Sequence, residues 1–229
     1  MEDRLQALVR SELDEAALHL LGERAGDHGR KRRAPSLEDV KHPPHIHAYR
    51  FGRVIQGKGL IAVTAHFGNL DVVAQAFALH KYPITVVAEH LKPEKLFQYV
   101  TSLRASKGIQ IIPADSFLRP IFRTLRQNGI VGIAADRNLT GTGSVVNLFG
   151  APALLPDGHV QLALRTGAPL GFFFSLRRPD NTFEAYIEPP LALERTGDQE
   201  RDVRSGMAQI AAVLEKHIGQ HPEQWVMVQ

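Results

Sequence analysis

From residue 60 onwards, short apolar runs of strand length alternate with segments of helical length, and this alternation constrains the fold of the 229-residue chain most. Such a succession is typical of βαβ units, in which helices cover both faces of a mainly parallel central sheet. The stretch 179–187 predicts a hairpin-like antiparallel addition, and residues 135–156, rich in Gly and Thr, predict a loop. The sequence therefore predicts a single α/β domain. The predicted strands span residues 60–65, 84–88, 109–112, 130–134, 170–176 and 183–187, and the predicted helices span 70–79, 93–106, 119–127, 157–166 and 201–218.

The first 56 residues differ in character from the remainder. Apolar residues at helical spacing predict an amphipathic helix over residues 3–23, whose acidic polar side is unlike that of helices lying in lipid headgroups. A basic run at residues 30–33 and a His-Pro-rich stretch at residues 42–47 follow. We interpret residues 1–56 as an N-terminal helix with a linker, and residues 57–229 as the α/β domain.

Composition excludes several classes of protein. The chain has no cysteine, which rules out a disulfide scaffold, a zinc ribbon and thiol catalysis. His42, His45 and His47 lie close together, but the sequence does not indicate carboxylate or further histidine ligands at the matched geometry that a metal site needs, so no metal site is expected.

Charge indicates which partners the chain suits. A net charge of +3 and a pI near 9.3 favour anionic partners such as phosphates, acidic headgroups or nucleic acid. The basic run at 30–33 lacks the interleaved aromatics of a nucleic-acid site, which leaves a solvated loop or contact with an anionic membrane surface. No apolar stretch reaches the roughly 18 residues that span a bilayer, and the charged N-terminus lacks a secretory signal. If the protein acts on lipids, it is expected to bind the membrane surface peripherally.

The first predicted strand-to-helix crossing, residues 64–71, contains the residues best suited to catalysis. His66 precedes the helix and can accept a proton from a hydroxyl near neutral pH. Asp71 lies in the first helical turn and is expected to orient the imidazole of His66, while the helix N-terminus offers N–H groups to a developing negative charge. From these residues alone, a histidine hydrogen-bonded structurally at a strand end remains the alternative.

The segment His66-Phe67-Gly68-Asn69-Leu70-Asp71 resembles the HX4D/E block of the lysophospholipid acyltransferase superfamily. It is similar above all to the bacterial glycolipid acyltransferases, which include lipid A lauroyl and myristoyl transferases and phosphatidylinositol mannoside acyltransferases. The resemblance covers residues 57–228 and is supported by several further blocks in order. These are residues 87–89, 96–97 with Arg104 before Gly108, 136–140, 148–150, 162–169 and 221–225.

The resemblance implies a glycerol-3-phosphate acyltransferase-like fold and transfer of a fatty acyl group from a thioester to a lipid hydroxyl. The donor substrate would be acyl-CoA or acyl carrier protein, no cofactor would be needed, and the acceptor would be a phosphatidylinositol mannoside or a lipid A-type glycolipid. The enzyme would work at the cytoplasmic face of the bacterial inner membrane.

The resemblance also suggests roles for individual residues. His66 would be the general base and Asp71 its partner, which makes these two the catalytic residues. Glu89 and Arg104 would line the substrate pocket, with Arg104 binding an oxyanion of the acceptor headgroup. The alternative for these two residues is an ordinary salt bridge between a helix and a strand. Asp136 and Arg137, at the end of the fourth predicted strand, are further substrate-binding candidates, or else a structural pair.

Two departures from the family pattern bear on the acceptor. Leu70 stands where an aromatic residue is usual, and Ala151 stands where relatives often carry an acidic residue.

Two rival interpretations can be weighed from sequence. Residues 57–62 superficially match a dinucleotide-binding GxGxxA motif, but they precede their strand instead of following one. The second rival is a non-catalytic phospholipid- or phosphosugar-binding module that uses residues 136–144 as an anion cradle.

Overall fold

The computed structural model describes residues 57–114, 119–179 and 183–226. The predicted amphipathic helix, the basic run and the His-Pro-rich linker lie outside the described residues.

Within the described ranges the chain forms eight strands and five α-helices. The strands are β1 (Leu60–Thr64), β2 (Ile84–Ala88), β3 (Ile109–Pro113), β4 (Ile130–Ala134), β5 (Ser144–Leu148), β6 (Ala151–Leu155), β7 (Leu170–Arg177) and β8 (Phe183–Ile187). The helices are α1 (Leu70–Leu79), α2 (Glu94–Ser106), α3 (Arg119–Arg126), α4 (Gly158–Thr166) and α5 (Gln199–Gln220), followed by a short 3-10 turn (Pro222–Gln224).

Six strands form one sheet in the order β3-β2-β4-β1-β7-β8. All neighbouring pairs are parallel except β7 with β8, which are antiparallel. The mainly parallel sheet predicted from sequence, with its antiparallel addition, is confirmed.

Both faces of the central strand β1 are buried, as expected where helices cover a parallel sheet. Successive side chains of a strand point to opposite faces, so Ile61 and Val63 pack into one apolar cluster with residues of α3, α4 and α5. Leu60 and Ala62 pack into a second cluster with residues of α1. The sheet therefore forms a rigid platform at the centre of the domain.

The segment predicted as a loop over residues 135–156 contains a hairpin instead. Strands β5 and β6 pair antiparallel, and Phe149 and Gly150 turn between them with positive φ. Inward-facing Val146 and Leu155 are buried in the core, whereas Val145 is 68% exposed. The prediction was wrong because these strands form a separate two-stranded sheet whose stability comes from contact with α5.

No helix in the described ranges combines the length and the apolar character that crossing a bilayer requires.

Candidate active site

The loop between β1 and α1 is fixed at several points. Gly68 has a φ of +58°, and a Cβ there would overlap the backbone carbonyl of Ser175 on β7, so only glycine allows this approach. Asn69 caps α1, its side chain accepting hydrogen bonds from the backbone N–H groups of Asp71 and Val72 at 3.0 and 3.4 Å. The Ser175 hydroxyl bonds both the N–H and the carbonyl of Asn69. The loop therefore holds His66 in a defined position.

His66 lies beside Asp136 because of the sheet register. Thr64 of β1 is paired with Ala134 of the parallel strand β4, so the residues two positions further along each chain emerge side by side. His66 Nδ1 lies 2.9 Å from Asp136 Oδ1, and the backbone N–H of His66 donates to Asp136 Oδ2 at 2.8 Å.

Asp136 is held in its charged form by its surroundings. Its side chain is fully buried, and burial by itself would raise the pKa. Hydrogen bonds from His66 and from the Trp225 indole, whose Nε1 lies 2.8 Å from Asp136 Oδ2, outweigh burial and lower the pKa of Asp136 below its usual value. A buried aspartate that stays ionised can stabilise an imidazolium beside it.

This pairing also settles which nitrogen of His66 is available. An ionised carboxylate only accepts hydrogen bonds, so Nδ1 of the neutral ring must carry the proton that points to Asp136. The other nitrogen, Nε2, is then an acceptor, and the side chain is 37% exposed. The arrangement can remove a proton from a hydroxyl that approaches Nε2.

The C-terminal segment closes over the same loop. Phe67 forms an isolated antiparallel bridge with Trp225, the Gly68 N–H donates to the Gln224 carbonyl, and the Val226 N–H donates to the His66 carbonyl. The block at residues 221–225 therefore contributes to the site both through its backbone and through the indole of Trp225.

Asp71 and Arg104 form a second pair, and here the structure differs from the contact expected from sequence. Arg104 donates from Nε and Nη2 to the two carboxylate oxygens of Asp71 at 2.8 and 3.1 Å. The carboxylate that contacts His66 is Asp136, not Asp71. The cap at Asn69 starts α1 before Asp71, and this places the Asp71 carboxylate against α2.

The helix N-terminus also differs from expectation. The backbone N–H groups of Asn69, Asp71 and Val72, which we expected to be open to an oxyanion, are bonded to Ser175 and to the Asn69 side chain.

Glu89 and Arg137 join the ends of β2 and β4. Arg137 Nη1 lies 2.9 Å from Glu89 Oε2, and both side chains are partly exposed. Because β2 and β4 are adjacent in the sheet, this pair stands on the same edge as His66 and Asp136. The six residues singled out from sequence therefore form three pairs, with partners different from those expected. His66–Asp136 and Glu89–Arg137 lie at the carboxyl end of the sheet, whereas Asp71–Arg104 joins the first turn of α1 to the last turn of α2.

Comparison with known proteins assigns the family. Residues 50–229 match the family model described as bacterial lipid A biosynthesis acyltransferase. The chain belongs to this family. It is also 34% identical over 180 residues to a phosphatidylinositol mannoside acyltransferase of Mycobacterium tuberculosis, a match that covers 76% of this chain and 54% of that protein. It is 32% identical over 150 residues to the protein of the same name from Mycolicibacterium smegmatis, which covers 64% of this chain and 47% of that protein. The chain thus spans about half the length of these relatives.

Two cavities lie near the carboxyl ends of the strands in this lipid A biosynthesis acyltransferase family member. A cavity of about 350 Å³ lies below the ends of β2, β3 and β4, with a mainly apolar wall. A more open cleft of about 610 Å³ borders Gly68 and Asn69 and is flanked by Arg178 and His221.

From sequence, Asp136 was a substrate-binding candidate or half of a structural pair with Arg137, and its contacts with His66 and Trp225 were not predicted. The signal for both was indirect. Trp225 is the only tryptophan in the chain and belongs to a block shared with the acyltransferase family, but nothing in its spacing points to Asp136.

Proposed function

We propose that this chain transfers a fatty acyl group from a thioester to a hydroxyl of a membrane glycolipid, with His66 as general base and Asp136 as the carboxylate that orients it. The hydrogen bond between His66 Nδ1 and Asp136 carries this proposal, because it leaves Nε2 unprotonated on a side chain that is partly exposed. The names of the similar mycobacterial proteins favour a phosphatidylinositol mannoside as acceptor, with a lipid A-type glycolipid as the second candidate.

The proposed reaction follows from this geometry. The acceptor hydroxyl gives its proton to His66 Nε2 as its oxygen attacks the thioester carbonyl carbon, forming a carbon–oxygen bond. The imidazolium is stabilised by the buried carboxylate of Asp136. When the carbon–sulfur bond breaks, the proton passes from Nε2 to the leaving thiolate. The products are an ester and a free thiol, and His66 returns to its starting state without a cofactor.

The acyl chain of the donor fits the 350 Å³ cavity. Its wall carries Val87, Ile112 and Ile133 from three adjacent strands, and an apolar chain is stabilised by leaving water for such a wall. The cavity lies at the same edge of the sheet as the His66–Asp136 pair. Either acyl-CoA or acyl carrier protein can present such a chain.

We further propose that Asp71 acts through Arg104 and not through His66. Two hydrogen bonds to Asp71 fix the guanidinium of Arg104, whose remaining N–H groups can bind an oxygen of the acceptor headgroup. Glu89 and Arg137 are proposed as a second polar pair beside the acceptor.

The experiment that tests the function is acyl transfer from a labelled thioester to detergent-solubilised phosphatidylinositol mannosides. Acyl-CoA and acyl carrier protein are supplied in separate assays. His66→Ala is expected to lower turnover by about 10²–10⁴-fold, the range typical of a general base. His80→Ala, at the exposed end of α1, is the matched control and is expected to retain full activity.

The outcomes separate the two candidate functions. A His66→Ala protein that keeps more than half of the parent's turnover would contradict the proposed base. Tight lipid binding by the parent without any turnover, with either donor, would favour the non-catalytic binding module.

Peripheral attachment to the cytoplasmic face of an anionic bacterial membrane is part of the same proposal. It rests on the basic run at residues 30–33, since each cation near an anionic bilayer is worth on the order of 1 kcal/mol. Replacing all four residues with Ser should lower the fraction of protein that sediments with vesicles containing an anionic phospholipid. Raised salt should lower this fraction equally for the parent protein. Equal binding of both proteins would remove the run from this proposal.

A further inference from the structure

The 350 Å³ cavity is lined by polar as well as apolar side chains, and His159 differs from the other polar ones in being almost fully buried. His159, in the first turn of α4, lines the cavity together with apolar residues. It is only 1% exposed, and neither of its ring nitrogens has a hydrogen-bond partner in the described part of the chain. Burial lowers the pKa of His159 to about 4, although the nearby Asp157 opposes this, so the ring is neutral at physiological pH.

The other polar side chains of the cavity wall, apart from the exposed Arg165, are engaged with one another or with Ser144. Asp157 accepts hydrogen bonds from Ser144 and Gln161 at 2.7 and 2.8 Å, and the hydroxyls of Thr140 and Thr142 are 2.9 Å apart. The imidazole of His159 therefore has one N–H to donate and one nitrogen that can accept, both without a protein partner among the described residues.

A second buried histidine shows how the same fold satisfies such a ring. His217 is 6% exposed, and its Nε2 lies 2.7 Å from Glu188. A buried polar group without a partner is unfavourable by comparison, so His159 is a position at which a ligand can improve the hydrogen bonding of the protein.

We propose that the cavity binds an aliphatic chain that carries a neutral hydrogen-bonding group, a hydroxyl or a secondary amide, against His159. A neutral imidazole both donates and accepts, and a hydroxyl or an amide does the same. A carboxylate or phosphate does not suit this position, because the buried ring is neutral and Asp157 supplies a negative charge beside it. Arg165 also lines the cavity, but its side chain is exposed to solvent. The inference rests on the proposed function in one respect, since the chain is taken to be that of the acyl thioester donor.

Two parts of such a donor have this chemistry. One is a hydroxyl on the acyl chain itself, and the other is an amide in the pantetheine arm that CoA and acyl carrier protein share. In either case His159 would determine which donor binds, while the reaction remains at His66.

The test measures binding, so that it does not depend on turnover. Three kinds of probe compete with a fluorescent fatty acid below their micelle concentrations: dodecanoic acid, a positional series of hydroxydodecanoic acids, and the non-hydrolysable thioether S-dodecyl pantetheine. Each is measured with the parent, with His159→Phe and with His159→Leu, two variants that keep an apolar wall and remove both nitrogens. Val87→Phe, which narrows the cavity from β2, should weaken the binding of every probe.

The proposal predicts a selective loss. Both His159 variants should bind dodecanoic acid within about twofold of the parent, while one of the other probes loses roughly tenfold in affinity, the magnitude expected for one or two hydrogen bonds. Loss with a hydroxydodecanoic acid assigns the group to the acyl chain, and loss with the thioether assigns it to the arm. Equal affinities throughout, or an equal loss for all probes including dodecanoic acid, would overturn the proposal, as would a Val87→Phe protein that binds every probe unchanged.

The result is separable from that of the transfer assay. A selective loss in a protein without turnover would leave the cavity assignment standing and remove only the proposed enzyme. Turnover without a selective loss of affinity would support the proposed enzyme and overturn the assignment of His159.

Discussion

Asp136 Oδ1 lies 2.9 Å from His66 Nδ1, although the two residues are 70 positions apart in the chain. They meet because β1 and β4 are parallel neighbours in register, so that the loops leaving both strands start at the same edge of the sheet. The carboxylate that was expected to serve His66, Asp71, is only five positions away in sequence and is bonded to Arg104 instead. The two carboxylates can therefore be distinguished by experiment.

Asp136→Asn is expected to lower turnover by about 10²–10⁴-fold, because an amide can hold the ring in the wrong tautomer and offers no charge to the imidazolium. Asp71→Asn should lower turnover less and should act mainly on the Michaelis constant for the acceptor. The measurement is steady-state transfer kinetics of both variants with folding checked by circular dichroism. A larger loss of turnover in Asp71→Asn than in Asp136→Asn would contradict the pairing on which the proposed mechanism rests.

Trp225→Phe should weaken the loss of stability in acid. The indole N–H helps to keep the pKa of Asp136 in the folded protein below its usual value, so its removal moves that pKa towards the value in the unfolded chain. A carboxyl group of lowered pKa stabilises the fold above its unfolded-state pKa, and this stability is lost as the pH falls through the folded-state pKa. The variant should therefore be less stable at neutral pH and should lose less stability on acidification, while the phenyl ring preserves packing near Phe149. Urea unfolding of the parent and the variant at several pH values between neutral and acid measures both effects. A variant that loses as much stability in acid as the parent would assign Trp225 a packing role only.

His159 should make the free protein sensitive to mild acid. Its folded-state pKa of about 4 lies below the value of 6.5 for an exposed histidine, so between these values the unfolded chain binds a proton that the folded chain does not. The free energy of unfolding is therefore unaffected by the titration of this group above pH 6.5 and decreases as the pH falls towards 4, by roughly 3 kcal/mol in total. Urea unfolding at pH 7.5, 6.5, 5.5 and 4.5 measures this loss.

The matched variants for that experiment are His159→Phe and His80→Ala. His159→Phe should flatten the pH dependence and raise the free energy of unfolding at pH 7.5 by about 1–3 kcal/mol, because it removes an unsatisfied buried polar group. His80→Ala should follow the parent. The free energy of unfolding will still depend on pH to some extent in both variants, since burial also lowers the pKa of His217. A His159→Phe protein with the parent's full slope would show that His159 is not the titrating group.

Arg104→Lys should separate acceptor binding from donor chemistry. Lysine keeps the charge but cannot make the two parallel hydrogen bonds to Asp71, so the position of the cation loosens. We expect a higher apparent Michaelis constant for the lipid acceptor and nearly unchanged thioester hydrolysis in the absence of acceptor. If both activities fall together, Arg104 supports the donor site or the fold, and its assignment to the acceptor is wrong.

Much of the fold could be predicted from the sequence because local patterns report it. The apolar runs of β1, β2, β3 and β4 are of strand length and separated by helix-length segments, and burial on both faces of a parallel sheet makes such runs continuous. The β5–β6 hairpin was not predicted, because its strands pair with each other outside the main sheet and expose residues such as Val145.

The sequence by itself determined that His66 stands at the end of the first strand, that a helix begins just after it, and that Glu89, Asp136 and Arg137 reach the same edge of the sheet. These are consequences of chain order in a βαβ fold. Only the tertiary structure decided which of these charged groups are partners. Pairing depends on strand order and register across the sheet, which bring Asp136 to His66 over 70 residues, and on the capped start of α1, which places Asp71 against Arg104. Sequence separation carries no information about such contacts, because a parallel sheet joins segments that the chain keeps far apart.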